Sequence, residues 1–319
     1  MSSIHLDIDI AGVSDITSVT VSEAHNTPSA NMVVNAKTNT LDMGDSITAY
    51  LGYEDNKPRV FQGWIKQIDK TVPDNTYVIT CNDEMIKALD FFIASDTPDS
   101  GYKRRNVSAE DLVEDLLTMA QITSYVHDTT YFTFGITRDV EVNLISSYDM
   151  CKTVADILAY AIWCDYDGTA HFEDRRPHIM DGDTASKVFN TDQILKITHR
   201  VSDRDLRNRV VVYGAEGVYA EAEAESPYLP TGFRKSVVVA SPWIDDQSMA
   251  QSACDYNLDK LNRLTEEVSI EILGDPILHA RQVIGINDNH VEASGIWYVY
   301  SCEHRWGEAG YTTNMELRR

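Results

Sequence analysis

Ile4-His5-Leu6-Asp7-Ile8-Asp9-Ile10 alternates apolar and polar residues at every step. A period of two puts the four apolar side chains on one face of an extended chain, so this stretch reads as a half-buried β-strand. The pattern recurs in short segments: Ile16 to Glu23, Met32 to Ala36, Ile47 to Tyr53, Phe61 to Ile68 and Tyr77 to Cys81. Met43-Gly44-Asp45, Asp55-Asn56-Lys57-Pro58 and Pro73-Asp74-Asn75 supply the turns between them. Short strands at regular spacing predict a small antiparallel barrel or sandwich. A short helix is expected to close this unit, with Asp83 as N-cap and Met85, Ile86 and Leu89 facing inward. The first domain is therefore set at residues 1–95, and Asp96-Thr97-Pro98-Asp99-Ser100-Gly101 reads as a linker.

Residues 96–190 change character. Ser108 with Asp111 three positions on resembles a capping box, and Leu112, Val113, Leu116, Leu117 and Ala120 follow at helical spacing. A strand pair is expected across Tyr131 to Leu144. A second helix carries Met150, Val154, Ile157, Leu158, Ala161 and Ile162, and Asp167-Gly168 reads as a hairpin turn. Residues 191–319 return to strands, at Arg209 to Tyr213, Ser236 to Ala240, Val268 to Leu273, Gln282 to Ile286, Ile296 to Cys302 and Tyr311 to Leu317. A helical insertion is expected near 245–265, capped by Asp245 or Asp246. In the final strand Tyr311, Thr313, Met315 and Leu317 share one face. The fold class is α+β, mainly β: two small antiparallel β-barrel domains flank an α+β domain.

The 319 residues carry 27 Lys and Arg against 50 Asp and Glu, a net charge of −23, and 43% are apolar. That is the composition of a globular chain of two or three domains. So acidic a chain repels phosphates and anionic headgroups, which argues against specific nucleic-acid binding. No basic region followed by an apolar core opens the sequence, so no signal peptide is expected. No apolar run approaches the ~20 residues of a membrane span. The five cysteines are scattered with no C-x-x-C pair, and read as small buried hydrophobes.

Catalytic constellations are missing from the sequence: it has no G-x-S-x-G elbow, Walker-type loop, G-x-G-x-x-G turn or H-E-x-x-H. Asp165-Tyr166-Asp167-Gly168 lacks the further carboxylates that calcium needs and reads as a turn. His171 and His178 are poorly spaced for one metal. Asn287-Asp288-Asn289-His290 reads as a solvated loop. No catalytic, cofactor-binding or metal-ligating residue is singled out, and the chain reads as a non-enzyme without cofactors.

Two charged stretches remain. Glu216, Glu221, Glu223 and Glu225 make an acidic loop or strand extension, and Lys196, Arg200, Arg204, Arg207 and Arg209 form the one basic cluster. Solvation and internal pairing are the plain readings. The sharper one makes Arg200, Arg204, Arg207, Glu221, Glu223 and Glu225 candidates for a docking interface with neighbouring subunits. The two strand-rich ends also share a rhythm: Ile47, Trp64 and Ile79 are spaced 17 then 15, and Val283, Trp297 and Thr313 are spaced 14 then 16. Any two meandering sheets share such a rhythm, so spacing alone leaves duplication open.

The run Ser202-Asp203-Arg204-Asp205-Leu206-Arg207-Asn208-Arg209-Val210-Val211-Val212-Tyr213-Gly214 resembles the entry to the second tube-like domain of phage tail baseplate hub proteins, the late-control-D-like family. Gly274-Asp275-Pro276, Arg281-Gln282-Val283, Gly295 with Trp297-Tyr298-Val299, His304, Tyr311-Thr312-Thr313 and Glu316-Leu317 resemble its closing strands. Phe61-Gln62-Gly63 and Asn82-Asp83 resemble its first domain. The resemblance implies two tube-like β-barrel domains, 1–95 and 191–319, and assembly as a homotrimer whose six barrels form a pseudo-sixfold ring. It implies a structural role in the virion, assembled in the host cytoplasm, joining the sixfold tail tube to the threefold spike. Tail-tube or distal tail protein, central spike protein and tape-measure protein are the implied partners. A lumen lined with carboxylates would give passing DNA no cationic foothold. The alternatives are a tail-associated glycan hydrolase using a carboxylate pair, and the spike-base protein of a contractile secretion system. The chain stops at Arg319 with no lysozyme, peptidase or needle following, so cell-wall cutting is expected of another chain.

Overall fold

A computed structural model describes residues 6–53, 57–94, 101–287 and 292–319. Ile4, His5, Asp55 and Asn56 of the expected turn, the 96–100 part of the expected linker, the boundary at Ser95 and most of the 287–290 loop lie outside the described residues. Twelve strands form one continuous sheet. In chain order they are β1 (Leu6–Ile10), β2 (Val13–Ala24), β3 (Asn31–Asn39), β4 (Ser46–Tyr53), β5 (Arg59–Thr71), β6 (Thr76–Asp83), β7 (Lys187–Asn190), β8 (Ile194–Ser202), β9 (Thr265–Leu273), β10 (Val283–Asn287), β11 (Gly295–Gly307) and β12 (Gly310–Arg318).

The first six strands lie in the order β1-β4-β5-β6-β3-β2, and the last six in the order β7-β10-β11-β12-β9-β8. These are the same topology, stated twice. The likeness reaches individual hydrogen bonds. β5 bulges between Ile65 and Gln67 against β6, and β11 bulges between Val299 and Ser301 against β12. Beside each bulge the same bond pair recurs. Gly44 N–H donates to Ile65 O and Ile65 N–H to Asp45 O, while Arg281 N–H donates to Val299 O and Val299 N–H to Gln282 O. Gly44 and Arg281 both have φ positive, at 84° and 71°. The halves differ at their first strand, since β1 pairs β4 antiparallel and β7 pairs β10 parallel.

Each half wraps its own core. Val19, Val21, Met32, Val34, Ile47, Leu51, Ile65 and Ile79 are buried in the first, and Val268, Ile270, Ile284, Trp297, Met315 and Leu317 in the second. The alternation that marks these strands is the cause: residues of one phase go inward and residues of the other stay at the surface. Tyr311, Thr313, Met315 and Leu317 are all buried, as the final strand's pattern requires. The expected barrels are not closed by strand pairing: among the described residues β1 does not pair β2, nor β7 β8.

The remaining chain builds a separate α+β unit around four helices, α1 (Ile86–Asp90), α2 (Ala109–Met119), α3 (Ser147–Leu158) and α4 (Gln247–Leu261). Ser108 caps α2 by accepting from Asp111 N–H, and Ser146 caps α3 in the same way through Asp149. Met85, not Asp83, is the N-cap of α1; Asp83 accepts the Met85 N–H. Asp246 caps α4, while Asp245 accepts from Thr137. The 131–144 segment does not form a hairpin. Its strands pair elsewhere, Thr133–Phe134 with Val107–Ser108 and Val140–Val142 with Tyr102–Arg104. Arg209–Tyr213 and Ser236–Ala240, expected with the C-terminal strands, instead form a small sheet with Tyr219–Glu223, in which Arg209–Tyr213 is the central strand. That sheet, α4 and the turn before it contribute Val210, Val212, Ile244, Ala253 and Cys254 to the core of α2 and α3. Segment 203–264 is thus an excursion at the β8–β9 turn that packs with the middle unit. The first half closes the corresponding turn within 25–30.

Candidate assembly interface

Strand β11 is longer than the partner beside it. β10 pairs its first residues, Gly295 to Tyr298, and β2 then takes over the same edge. Ser18 to Ala24 run antiparallel to Gly307 to Ser301, with Ser22 opposite Glu303 and donating to it at 3.2 Å. This joint welds the two halves into one sheet. Tyr53 adds a second link, its hydroxyl donating to Gly274 O at 2.7 Å.

Charged groups are buried beside the joint. Glu23 follows Val19 and Val21 in the inward phase of β2, and accepts from His279 Nδ1 at 3.0 Å and Ala280 N–H at 2.8 Å. Burial alone would raise its pKa, but His279, the Ala280 N–H and Arg281 hold it below the ordinary carboxylate value. Arg281 donates to Ala24 O at 2.8 Å and lies over Trp163. His25 Nδ1 is hydrogen-bonded to Tyr298 Oη at 2.7 Å, and burial with Arg281 nearby pushes its pKa down to about 2, leaving the ring neutral.

The hairpin of the middle unit, strands Ala161–Cys164 and Ala170–Glu173, buttresses the joint. Tyr166 stacks on His279 with centroids 4.0 Å apart, and Arg59 pairs Asp167 at 2.7 Å. Trp163 stacks on the His171 ring and has the Arg281 guanidinium over it, each 4.9 Å from its centre. His171 in turn contacts Glu173 at 2.7 Å and Asp165 at 3.1 Å. Burial lowers its pKa, but those two carboxylates outweigh it and raise the value to about 9. The folded value lies above the ordinary 6.5, so this stabilisation is complete below pH 6.5 and is lost as pH rises through 9. Between pH 7 and 10, wild-type protein should lose more urea-unfolding free energy than His171→Gln does. Parallel profiles would remove the charge from the hairpin's account.

The sequence-derived interface residues separate into two groups. Arg209 pairs Glu221 at 2.7 Å and Arg234 pairs Glu223 at 2.9 Å, so much of the acidic strand is neutralised within its own sheet. Arg207 donates to the carbonyls of Arg204 and Leu206. Arg204 and Glu225 are exposed on the 203–264 excursion. Arg200 stands apart on β8, 73% exposed, with Glu267 at 3.7 Å. Alongside, a polar groove of about 650 Å³ follows the sheet across the joint and includes Lys196, Glu271, Ser301, Glu303 and Glu316. Sequence reading missed Glu23, His279 and Arg281, which lie over 250 residues apart. One signal was present: Glu23 is a carboxylate in the apolar phase of a strand.

No family model and no curated protein matches the sequence. Solved structures do match in fold. The 43 kDa tail protein of prophage MuSo2 from Shewanella oneidensis aligns with TM-score 0.69 and 11% identity, over 98% of this chain and 97% of that one. A tail protein from Neisseria meningitidis gives TM-score 0.71 at 11% identity over 98% and 96%. A type VI secretion component from E. coli, described as similar to T4 bacteriophage tail proteins gp27 and gp5, gives 0.56 at 10% identity over 98% and 76%. A Francisella PdpA–VgrG complex gives 0.58 at 12% identity over 99% and 58%. Over nearly its whole length, this chain has the fold of phage tail proteins.

Proposed function

We propose that this chain is a structural tail-tip or baseplate protein of a bacteriophage: a hub that assembles as a homotrimeric ring between a sixfold tail tube and a threefold spike. The duplicated topology carries this reading. Three copies of a chain with two like halves present six like units, which is what a threefold-to-sixfold adaptor needs. Residues 6–83 form one tube-like half, and 187–202 with 265–318 form the other. The segments 84–186 and 203–264 make the middle unit that buttresses them. Tail-tube or distal tail protein, spike protein and tape-measure protein are its partners in the virion. The polar groove, where Glu271, Glu303 and Glu316 outnumber Lys196 and Arg305, is the best candidate for a channel face that DNA slides past with little adhesion. The titratable groups at the joint are engaged in internal bonds, which favours a mechanical role over a catalytic one.

Native mass measured across a concentration series, with and without a spike protein, tests the proposal. A species near three times the 35.9 kDa chain is expected. A strict monomer under both conditions would overturn it. The likeness to the type VI component and the VgrG complex favours one second reading, the base of a contractile secretion spike. Co-purification with a secretion tube protein in place of a phage tube protein would select it.

A further inference from the structure

The internal joint has a duplicate that the chain leaves open. Within one copy, the joint pairs β2 of the first half with the far end of β11 of the second. By topology β8 is the counterpart of β2, and β5 is the counterpart of β11. β8 pairs β9 along one edge, and no strand lies along its other edge among the described residues. β5 pairs β4 only from Arg59 to Trp64. Beyond Ile65, which still bonds Gly44 and Asp45, its Gln67–Thr71 edge likewise has no strand partner among the described residues.

The registers fix how these two edges correspond to the joint. The matching bulges equate Ile65 with Val299. Across the next strand, Ile65 faces Cys81 and Val299 faces Leu317. Those residues face Met32 and Val268 in turn, and the neighbouring pairs are Ser22 with Asn31 and Arg200 with Glu267. Ser22 therefore corresponds to Arg200. The same ladder equates Glu303 with Asp69, through the pairs Glu303–Asn314 and Asp69–Val78. Ser22 lies opposite Glu303 in the joint, so its duplicate would set Arg200 opposite Asp69. Neighbouring pairs would run from Thr198 with Thr71 to Ser202 with Gln67.

The residues suit that contact. Arg200 and Asp69 are exposed and of opposite charge, and direct cross-strand pairing of opposite charges is favourable. Val201 and Val72 are 55% and 76% exposed, so apolar surface awaits cover at both edges. Bare strand edges of this kind are templates for another chain. We infer that the β8 edge of one copy adds antiparallel to the Gln67–Thr71 edge of β5 in a second copy, with Arg200 opposite Asp69. The contact rests on the ring reading above and names the surfaces that close it. It is heterologous, because each copy offers β8 to one neighbour and β5 to the other, and such contacts close into a ring when three successive rotations complete a turn.

The test is the double variant Arg200→Cys with Asp69→Cys, oxidised and run without reductant. Directly opposed residues in an antiparallel pair have Cα atoms about 4.5–5.5 Å apart, within disulfide range. The five native cysteines are all buried. A covalent trimer is expected from the double variant and none from either single variant. Val201→Cys with Asp69→Cys should also fail, because a one-residue slip places the two thiols on opposite faces. Should the cysteine variants misfold, Arg200→Asp and Asp69→Arg should each weaken assembly roughly fivefold per joint, and the two together should restore it. Assembly to a trimer without cross-link or charge rescue would overturn this pairing and leave the ring standing. A monomer at every concentration, with and without spike protein, would overturn both.

Discussion

Replacing Glu23 with Ala should destabilise the folded chain by about 3–5 kcal/mol, the cost of removing one partner from a buried charge cluster. Its carboxylate takes the His279 and Ala280 N–H groups, and its charge faces Arg281, which is itself buried under the sheet. Ala would leave an N–H without an acceptor and a guanidinium without a counter-charge, at the point where β2 meets β11. Glu23→Gln keeps an acceptor and loses only the charge, so about 1–3 kcal/mol is expected. Glu303 lies in the same joint but half-exposed beside Arg305, and Glu303→Ala should cost under about 1 kcal/mol. Urea unfolding followed by circular dichroism ranks the three variants. A Glu23→Ala penalty no larger than that of Glu303→Ala would mean the buried cluster does not hold the halves together.

The strands of both halves were legible because their burial follows a local period of two. Caps at Ser108 and Asp246 and the turn at Asp167-Gly168 were legible because a side chain next to the turn satisfies it. Membership of a sheet is a different matter. Arg209-Val210-Val211-Val212-Tyr213 announces a strand but not which strand lies beside it, and its partners come from 219–223 and 236–240. The spacing comparison found the equivalent strands, β4 with β10, β5 with β11 and β6 with β12. It missed their registers: Trp64 corresponds to Tyr298, not Trp297, and Ile79 to Met315, not Thr313. What the halves share is backbone, meaning a bulge, two hydrogen bonds and a positive φ that falls on Gly44 in one half and Arg281 in the other. Side-chain identity records little of that. Arg200 was reached from sequence through its charge, whereas its counterpart Asp69 is one of 50 acidic residues and only the duplicated ladder singles it out.

That divergence gives opposite rules for one position. Gly63 and Trp297 occupy equivalent places, one before Trp64 and one before Tyr298. In the second half the place holds a fully buried indole whose Nε1–H donates to Ala293 O at 2.7 Å. Trp297→Ala should open a cavity and cost about 3–5 kcal/mol. In the first half β6 crosses so closely that a Cβ on Gly63 would stand 2.1 Å from the backbone oxygen of Asn82. Backbone cannot rotate away as a side chain can, so Gly63→Ala must displace the end of β6. Asp83 would move with it, although it anchors the Ser29 hydroxyl and the N–H groups of Ala30 and Met85. A loss of roughly 3 kcal/mol is expected from adding one methyl group. Gly44→Ala is the control. Open space surrounds its Cβ, so only left-handed backbone strain remains, about 1 kcal/mol. A Gly63→Ala variant as stable as Gly44→Ala would show that β6 yields where the fold requires it to be fixed, and would undo the account of why one half needs glycine where the other carries tryptophan.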